Sequence, residues 1–445
     1  MGPPPSAGSE NSGPTTEPAS GPDDGTGPAT DPTAASDDAD GPAPTDPDER
    51  IVSLDALRGF ALLGILVINV WYFALPLPAI ENPTLFGGFE GLDYLAWLAS
   101  HVLFEGKFIT LFTAIYGAGI LLFTASRERN GDPVLPYHYR RTLLLLLIGL
   151  GHAYLLWYGD ILVVYALCGL WVVLLREWEP RLKALMGLAF VAIPSVLFVS
   201  QGLFVEEFPT EVVSQWEPSA AAIESEIDTY QGGWLEQMDH RVETATQAHT
   251  SGFLFYSLWR TSGVMLLGMA LFEWGVLSND RSTRFYRRLF VGGGLVGIGL
   301  VIAGVWYNTA TEWALREALF LGSQFNYWGS LALAASYLAG IVLLCRRAAG
   351  SRIVGALSAI GKTAFSNYLL QTVLVTSLFY GHGLGWFGTL SRAELVPVVL
   401  GIWAIQVPLS VWWVHRFRFG PVEWLWRSLT YRERQPLRRD PGRTD

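Results

Sequence analysis

The sequence predicts an all-α protein, a polytopic transmembrane helix bundle of about ten spans beneath an outer amphipathic cap. Three observations carry that expectation. Of 445 residues 51% are hydrophobic and only 16% charged, and the mean hydropathy is +0.30, values that suit a chain whose solvent is largely lipid. Apolar runs of roughly 18 to 25 residues, the length that crosses the hydrocarbon layer, recur along the chain. Basic residues gather in every second connection between those runs, the pattern that orients spans across a membrane.

The first element, Met1 to Arg50, is an acidic tail. It carries Asp23, Asp24, Asp31, Asp37, Asp38, Asp40, Asp46, Asp48 and three glutamates, with no base before Arg50, so much of the net charge of -10 is local. Rich in Pro, Gly, Ser and Thr and without aromatic residues, it cannot bury enough surface to fold and is expected to be disordered. It lacks the basic start and apolar core of a signal peptide.

The bundle is expected over 51–415, with spans near 51–72, 108–125, 142–158, 160–176, 184–204, 253–278, 289–307, 327–345, 363–381 and 395–415. Arg127, Arg129, Arg140 and Arg141 separate spans two and three. Arg176, Arg181 and Lys183 separate four and five; Arg281, Arg284, Arg287 and Arg288 separate six and seven; Arg346, Arg347 and Arg352 separate eight and nine. These loops and both termini are therefore predicted to be cytoplasmic, in a multi-pass protein of the cell membrane. The alternate loops are acidic and aromatic. Outer loop 205–251 and the shorter stretch from Leu92 to Phe104 read as amphipathic helices lying over the outer face. The segment 416–445 holds Gly420-Pro421, a helix break, followed by a short amphipathic helix. Its Trp424 and Trp426 suit an interface, and Glu423 and Arg427 are spaced to pair.

Polar residues inside the spans mark candidate function, because ionisable groups there are costly and face protein or water. Asp55 and Arg58, at i and i+3, share a face of the first helix, either as an ion pair or at the mouth of a channel whose far wall carries Asn69. His152 falls in the outer half of span three. A very short hairpin leads to Asp160, which can orient the imidazole or cap span four. Lys107 opens span two beside Glu105, about two turns beyond His101. Asn367 and Gln371, at i and i+4 in span nine, either tie neighbouring helices together or line the same cavity as Asn69. Cys168 and Cys345 lie in apolar segments and read as small core residues, so neither a disulfide nor a metal site is expected. No nucleic-acid motif or phosphate-cradling glycine loop is present, and nucleic-acid partners are not expected.

Several strings together resemble the YeiB-like membrane protein family, also called domain of unknown function 418. They are Ser53-Leu54-Asp55-Ala56-Leu57-Arg58-Gly59, Glu105-Gly106-Lys107-Phe108 with Tyr116-Gly117-Ala118-Gly119, and Gly151-His152 with Gly159-Asp160-Ile161-Leu162 and Tyr165-Ala166. Gly361-Lys362-Thr363-Ala364 with Asn367-Tyr368 and Gln371, and the closing run from Phe419 to Tyr431, complete the set. That family is similar to a wider group of transmembrane acyltransferases, including acyltransferase family 3 and the lysosomal heparan glucosaminide acetyltransferases. The resemblance implies transfer of an acyl group from cytoplasmic acyl-CoA to a sugar or other polar acceptor at the outer face. Acyl-CoA is then a donor substrate, no cofactor is held tightly, and the lipid bilayer is the standing partner. In acyltransferase family 3 an Arg is followed, after ten intervening residues, by a catalytic His. Here Arg58 matches the Arg, but Asn69 stands where the His is expected, and Asn cannot serve as a general base. On this reading His152 with Asp160 supplies the base and His101 is the reserve. Arg58 attracts the donor's phosphates, and Asn69, Lys107, Asn367 and Gln371 bind substrate. A small-molecule transporter with a polar midplane site, or an inactive scaffold, is the competing expectation.

Overall fold

The apolar runs form helices at the expected places in the computed structural model, which describes residues 47–208 and 213–438, with side chains from 52 onward. Nearly all of the acidic tail lies outside the described residues. All of them fall in one unit, Pro42–Asp445.

The helices, in chain order, are α1 (Pro47–Ala74), α2 (Leu77–Glu81), α3 (Gly91–Leu103), α4 (Lys107–Arg129), α5 (Val134–Leu155), α6 (Leu162–Val172), α7 (Pro180–Leu203), α8 (Ala220–Gln231) and α9 (Met238–His249). They continue as α10 (Leu258–Glu273), α11 (Thr283–Ala310), α12 (Ser323–Arg347), α13 (Arg352–Lys362), α14 (Ala364–Phe379), α15 (Arg392–Arg416) and α16 (Pro421–Tyr431). Among the described residues the sole extended pairing is an isolated bridge between Phe417 and Arg438. Two π-helical segments, Phe253–Ser257 and Arg316–Gly322, lead into α10 and α12.

Among the described residues seven helical stretches are long and apolar enough to cross a membrane: Val52–Ala74, Gly91–Arg129, Pro180–Leu203, Met238–Glu273, Thr283–Ala310, Arg316–Arg347 and Arg392–Arg416. The other three expected spans correspond to α5, α6 and α14. α6 and α14 are shorter apolar helices, whereas α5 has 22 residues but carries His138, Arg140, Arg141 and His152. The expected sixth span is longer at its start, because α9 of the cap runs through the π-helical segment into α10.

Small residues set the closest helix crossings, as membrane bundles require. A Cβ on Gly59 would lie 2.0 Å from the Leu357 carbonyl oxygen, and one on Gly361 would lie 1.9 Å from that of Asp55. α1 and α13 therefore touch backbone to backbone. The same holds where Gly117 of α4 meets Met265 and Gly268 of α10 meets Ala114. Lys183, fully buried on α7, reaches Glu273 of α10 at 2.6 Å, compensating a charge that would otherwise be stranded.

The cap is ordered by specific contacts rather than by apolar cover alone. Glu226 of α8 accepts from the Leu77 backbone N–H at 3.0 Å, and Tyr230 stacks on Phe387 with ring centroids 4.3 Å apart. Arg392, fully buried at the start of α15, donates to the Gly88 and Ala79 carbonyls and so fastens the α2–α3 connection.

Candidate functional site

α1 carries polar residues at two levels, and the structure places a separate cavity at each. Asp55, Arg58 and Leu62 line a cavity of about 560 Å³ at the basic end of the bundle. Asn69 and Tyr72 line another of about 610 Å³ beneath the cap. Ile65 belongs to both walls, as do Ile161 and Tyr368. The expected single channel from Arg58 to Asn69 is thus divided, because these three bulky side chains converge at mid-depth.

The basic-end cavity gathers cations from distant parts of the chain: Arg58, Arg141, Lys362, Arg418 and Arg427 all line it. Arg58 donates to Asp55 at 3.1 Å, so the ion pair and the cavity-lining position hold together. The Arg141 guanidinium lies over Trp426 at 4.3 Å and Phe123 at 4.7 Å, and that of Arg427 over Phe419 at 4.7 Å. Flat cations held on aromatic faces keep their N–H groups free for an anion. α16 closes this cavity, and does more than anchor. Glu423 does not pair with Arg427; it accepts from the backbone N–H groups of Phe365 and Ser366 at 2.7 and 3.1 Å and from the Ser366 hydroxyl. It thereby caps α14, whose first N–H groups lack carbonyl partners within the helix. Trp426 adds a bond from its indole N–H to the Arg141 carbonyl at 2.8 Å.

His152 and Asp160 are brought together behind the dividing wall, and His152 itself is in neither cavity lining. Asp160 Oδ1 lies 2.7 Å from His152 Nδ1, and Oδ2 accepts from the Val163 N–H at 2.7 Å. Asp160 therefore orients the imidazole and caps α6 at once. The acceptor carboxylate fixes the proton on Nδ1, which leaves Nε2 to accept from the Thr372 hydroxyl at 2.8 Å. Hydroxyl, imidazole and carboxylate form a continuous line, with His152 and Asp160 side chains 1% and 0% exposed. The His152 ring lies 5.2 Å from that of Tyr368, one of the three dividing residues. Asp160 lines the cap-side cavity; Thr372 is one turn from Tyr368 along α14.

His101 lines the cap-side cavity directly. Its Nδ1 is 2.6 Å from Glu105, and its ring stacks on Trp97 at 5.1 Å. Lys107 is fully buried and donates to the His101 carbonyl and to Asn326 Oδ1. Asn367 and Gln371 are not in either cavity wall. Asn367 donates to Thr363 at 2.9 Å and Ser410 at 2.8 Å, and Gln371 donates to Gln406 at 3.0 Å, so both tie α14 to α15. Of the two roles the sequence leaves open for them, the helix-binding one is where the geometry puts them.

Three residues of this region escape the sequence reading. Arg260 and His249 line the cap-side cavity, and Thr372 completes the His152 line. His249 ends a cap helix and Arg260 sits at the start of a long apolar run, so both look like ordinary helix-end polar residues until the cap folds over the bundle. Their best sequence signal is the rarity of ionisable groups in apolar stretches. Cys168 and Cys345 are buried and free. No cluster of metal-ligating side chains occurs among the described residues.

A family described as "Protein of unknown function (DUF418)" matches residues 271–433. The chain is 33% identical over 392 residues to the uncharacterized protein YeiB of Escherichia coli (strain K12), covering 87% of this chain and 98% of that protein. The chain belongs to the DUF418 family. The uncharacterized protein YxaH of Bacillus subtilis (strain 168) is 29% identical to this DUF418 protein over 409 residues, covering 88% and 97% of the two chains. An uncharacterized 39.9 kDa protein of Bacillus acidopullulyticus is 26% identical over 395 residues. No solved structure matches. Together with the seven long apolar helices, these likenesses make this a multi-pass membrane protein of the DUF418 family.

Proposed function

We propose that this DUF418 protein is a membrane acyltransferase that moves an acyl group from cytoplasmic acyl-CoA to a sugar or other polar acceptor at the outer face of the cell membrane, with both termini cytoplasmic. The observation that carries this reading is the pair of cavities that meet back to back at Ile65, Ile161 and Tyr368. Transfer between two compartments needs a donor site and an acceptor site separated by no more than one reacting group, and the dividing wall supplies that separation.

The division of chemistry follows from the linings. The basic-end cavity suits a donor bearing several phosphates, which Arg58, Arg141 and Arg427 bind through paired N–H groups. The cap-side cavity, with Asn69 and His101, suits a polar acceptor. His152 is the base. Asp160 holds its tautomer and stabilises the imidazolium that forms when an acceptor hydroxyl gives up its proton. Thr372 occupies Nε2 at rest, and rotation of its side chain about Cα–Cβ moves the oxygen aside and opens that nitrogen to an acceptor arriving from the cap-side cavity. The acceptor oxygen then bonds to the acyl carbon and the C–S bond breaks; CoA thiolate leaves toward the cytoplasm and takes the proton. His101 with Glu105 is the second candidate base, on the acceptor side.

The test uses the purified full chain in nanodiscs with labelled acetyl-CoA. Saturable binding and thioester cleavage that His152→Ala abolishes, and the exposed His415→Ala leaves intact, support the transferase. Absence of acetyl-CoA binding together with solute flux in proteoliposomes overturns it in favour of a transporter; absence of both leaves a scaffold.

A further inference from the structure

Two basic side chains are buried in or behind the wall of the cap-side cavity with no carboxylate in salt-bridge contact. Arg260 on α10, 7% exposed, lines that cavity. Its Nη2 donates to Thr110 at 3.3 Å and Ser330 at 2.9 Å, its guanidinium lies 4.1 Å from the Tyr327 ring centroid, and its buried Nη1 has no hydrogen-bond partner. Lys107, fully buried, is held by a carbonyl and an amide oxygen. Among the described residues neither forms a salt bridge.

The two cations are stacked. Lys107 and Thr110 are three apart on α4, Asn326 and Ser330 are four apart on α12, and Lys107 meets Asn326 while Arg260 meets Thr110 and Ser330. Ammonium and guanidinium therefore occupy successive turns of one seam. None of the acids that line this cavity forms a salt bridge with either: Glu105 pairs with His101 and Asp160 with His152, and Glu81 forms none. Buried positive charge of this kind, with an N–H left over, is stable when an anion arrives to complete it. His249, whose two ring nitrogens are buried and unpartnered in the same lining, can both donate to and accept from a hydroxyl. Trp97 and Trp313 supply flat apolar faces, and Asn69 and Gln324 supply amides.

We propose that the cap-side cavity binds an acidic sugar, one carrying a carboxylate or phosphate, with Arg260 as the residue that recognises the anion. That the sugar is the acyl acceptor rests on the transferase reading above; that the cavity prefers an anion does not. Arg260 is a binding residue here, and the expected contact is a charge-assisted hydrogen bond from its free Nη1 to an oxygen of the anion.

The experiment titrates the full chain, in nanodiscs of zwitterionic lipid, with glucuronate and with glucose, which differ by the carboxylate at one carbon. Glucuronate is expected to bind at least about tenfold more tightly than glucose, as loss of one charge-assisted contact implies. Arg260→Gln is expected to erase that difference and Arg260→Lys to keep part of it. Should Arg260→Gln fail to fold, the same pair of titrations on Arg260→Lys provides the reading, and an undiminished preference for glucuronate in that variant overturns the proposal. Equal affinity for the two sugars overturns the proposal, and so does a preference that survives in a folded Arg260→Gln. Binding of phosphatidylglycerol in place of glucuronate also overturns it, by identifying the anion as a lipid headgroup. None of these titrations contains acyl-CoA, so failure of the transferase reading leaves them standing, and their failure leaves thioester cleavage untouched.

Discussion

Asp160→Asn is the substitution whose consequences the structure defines most fully. The carboxylate makes two short bonds, 2.7 Å to His152 Nδ1 and 2.7 Å to the Val163 N–H, with no exposure to solvent. An amide offers one oxygen in the same shape, so it keeps one of these bonds and presents an NH2 group to the other partner. A hydrogen bond to a charged group contributes about 1.5–3 kcal/mol. Removing a buried charge offsets part of that loss, which leaves an expected destabilisation of about 1.5 kcal/mol. If the oxygen stays on Val163, the NH2 group meets Nδ1 and the imidazole moves its proton to Nε2. Nothing offsets that change, since Nε2 is the nitrogen the mechanism needs as an acceptor. Thioester cleavage should then fall by about 10²–10⁴-fold, with donor affinity unchanged because Asp160 is not in the basic-end cavity. Detergent-titrated unfolding measures the first effect, and labelled acetyl-CoA turnover in nanodiscs the second. A folded Asp160→Asn protein with wild-type turnover refutes the role of the pair.

Three further outcomes follow from other contacts. Gly361→Ala places a Cβ 1.9 Å from the Asp55 carbonyl oxygen, so it should push α13 off α1 and cost about 1–3 kcal/mol in an unfolding titration; a neutral result would mean the two backbones are not in contact. Asn367→Ala should cost about 0.6–1.7 kcal/mol, the range for hydrogen bonds between membrane helices, and leave the KM for acyl-CoA and for acceptor unchanged, whereas a change in KM would put Asn367 back in the site. Burial pushes the Glu423 carboxyl above its usual value of 4.5 despite its hydrogen bonds from Ser366 and Phe365. The folded state then holds the proton more tightly than the unfolded chain, so this contribution to stability is full below 4.5 and is lost as pH rises through the folded value. Stability measured against pH should show that fall in the wild-type chain and a flatter curve in Glu423→Gln; identical curves would contradict it.

Helix positions were legible because each run of apolar residues is long enough to define itself against its basic or acidic flanks. What the sequence obscured arises from contacts between distant segments. Both π-helical segments border the cap-side cavity, through Tyr256 and Ser257 in one and Ala318 and Leu319 in the other, and neither has a propensity signature that distinguishes it from α-helix. The nearness of His152 to Asp160 could be read from a short hairpin, since they are eight positions apart. The engagement of Thr372, 220 positions away, could not. Local spacing misled at Glu423: Arg427 is at pairing distance along the helix, yet the free N–H groups at the start of α14 are the stronger partners. Spacing along α1 leaves Arg58 open as an ion-pair partner or as the mouth of a channel reaching Asn69, and only the convergence of Ile65, Ile161 and Tyr368 shows why two residues on one helix serve separate cavities.

Sidedness is the central claim, and proteoliposomes of uniform orientation test it most directly. Labelled acetyl-CoA is supplied only on the side of the basic loops, and glucuronate or another polar acceptor only on the capped side. Acetylated acceptor should accumulate on the capped side with free CoA on the other, and both should vanish with His152→Ala. Uncleaved acetyl-CoA alongside acceptor that crosses the membrane unmodified would contradict the account.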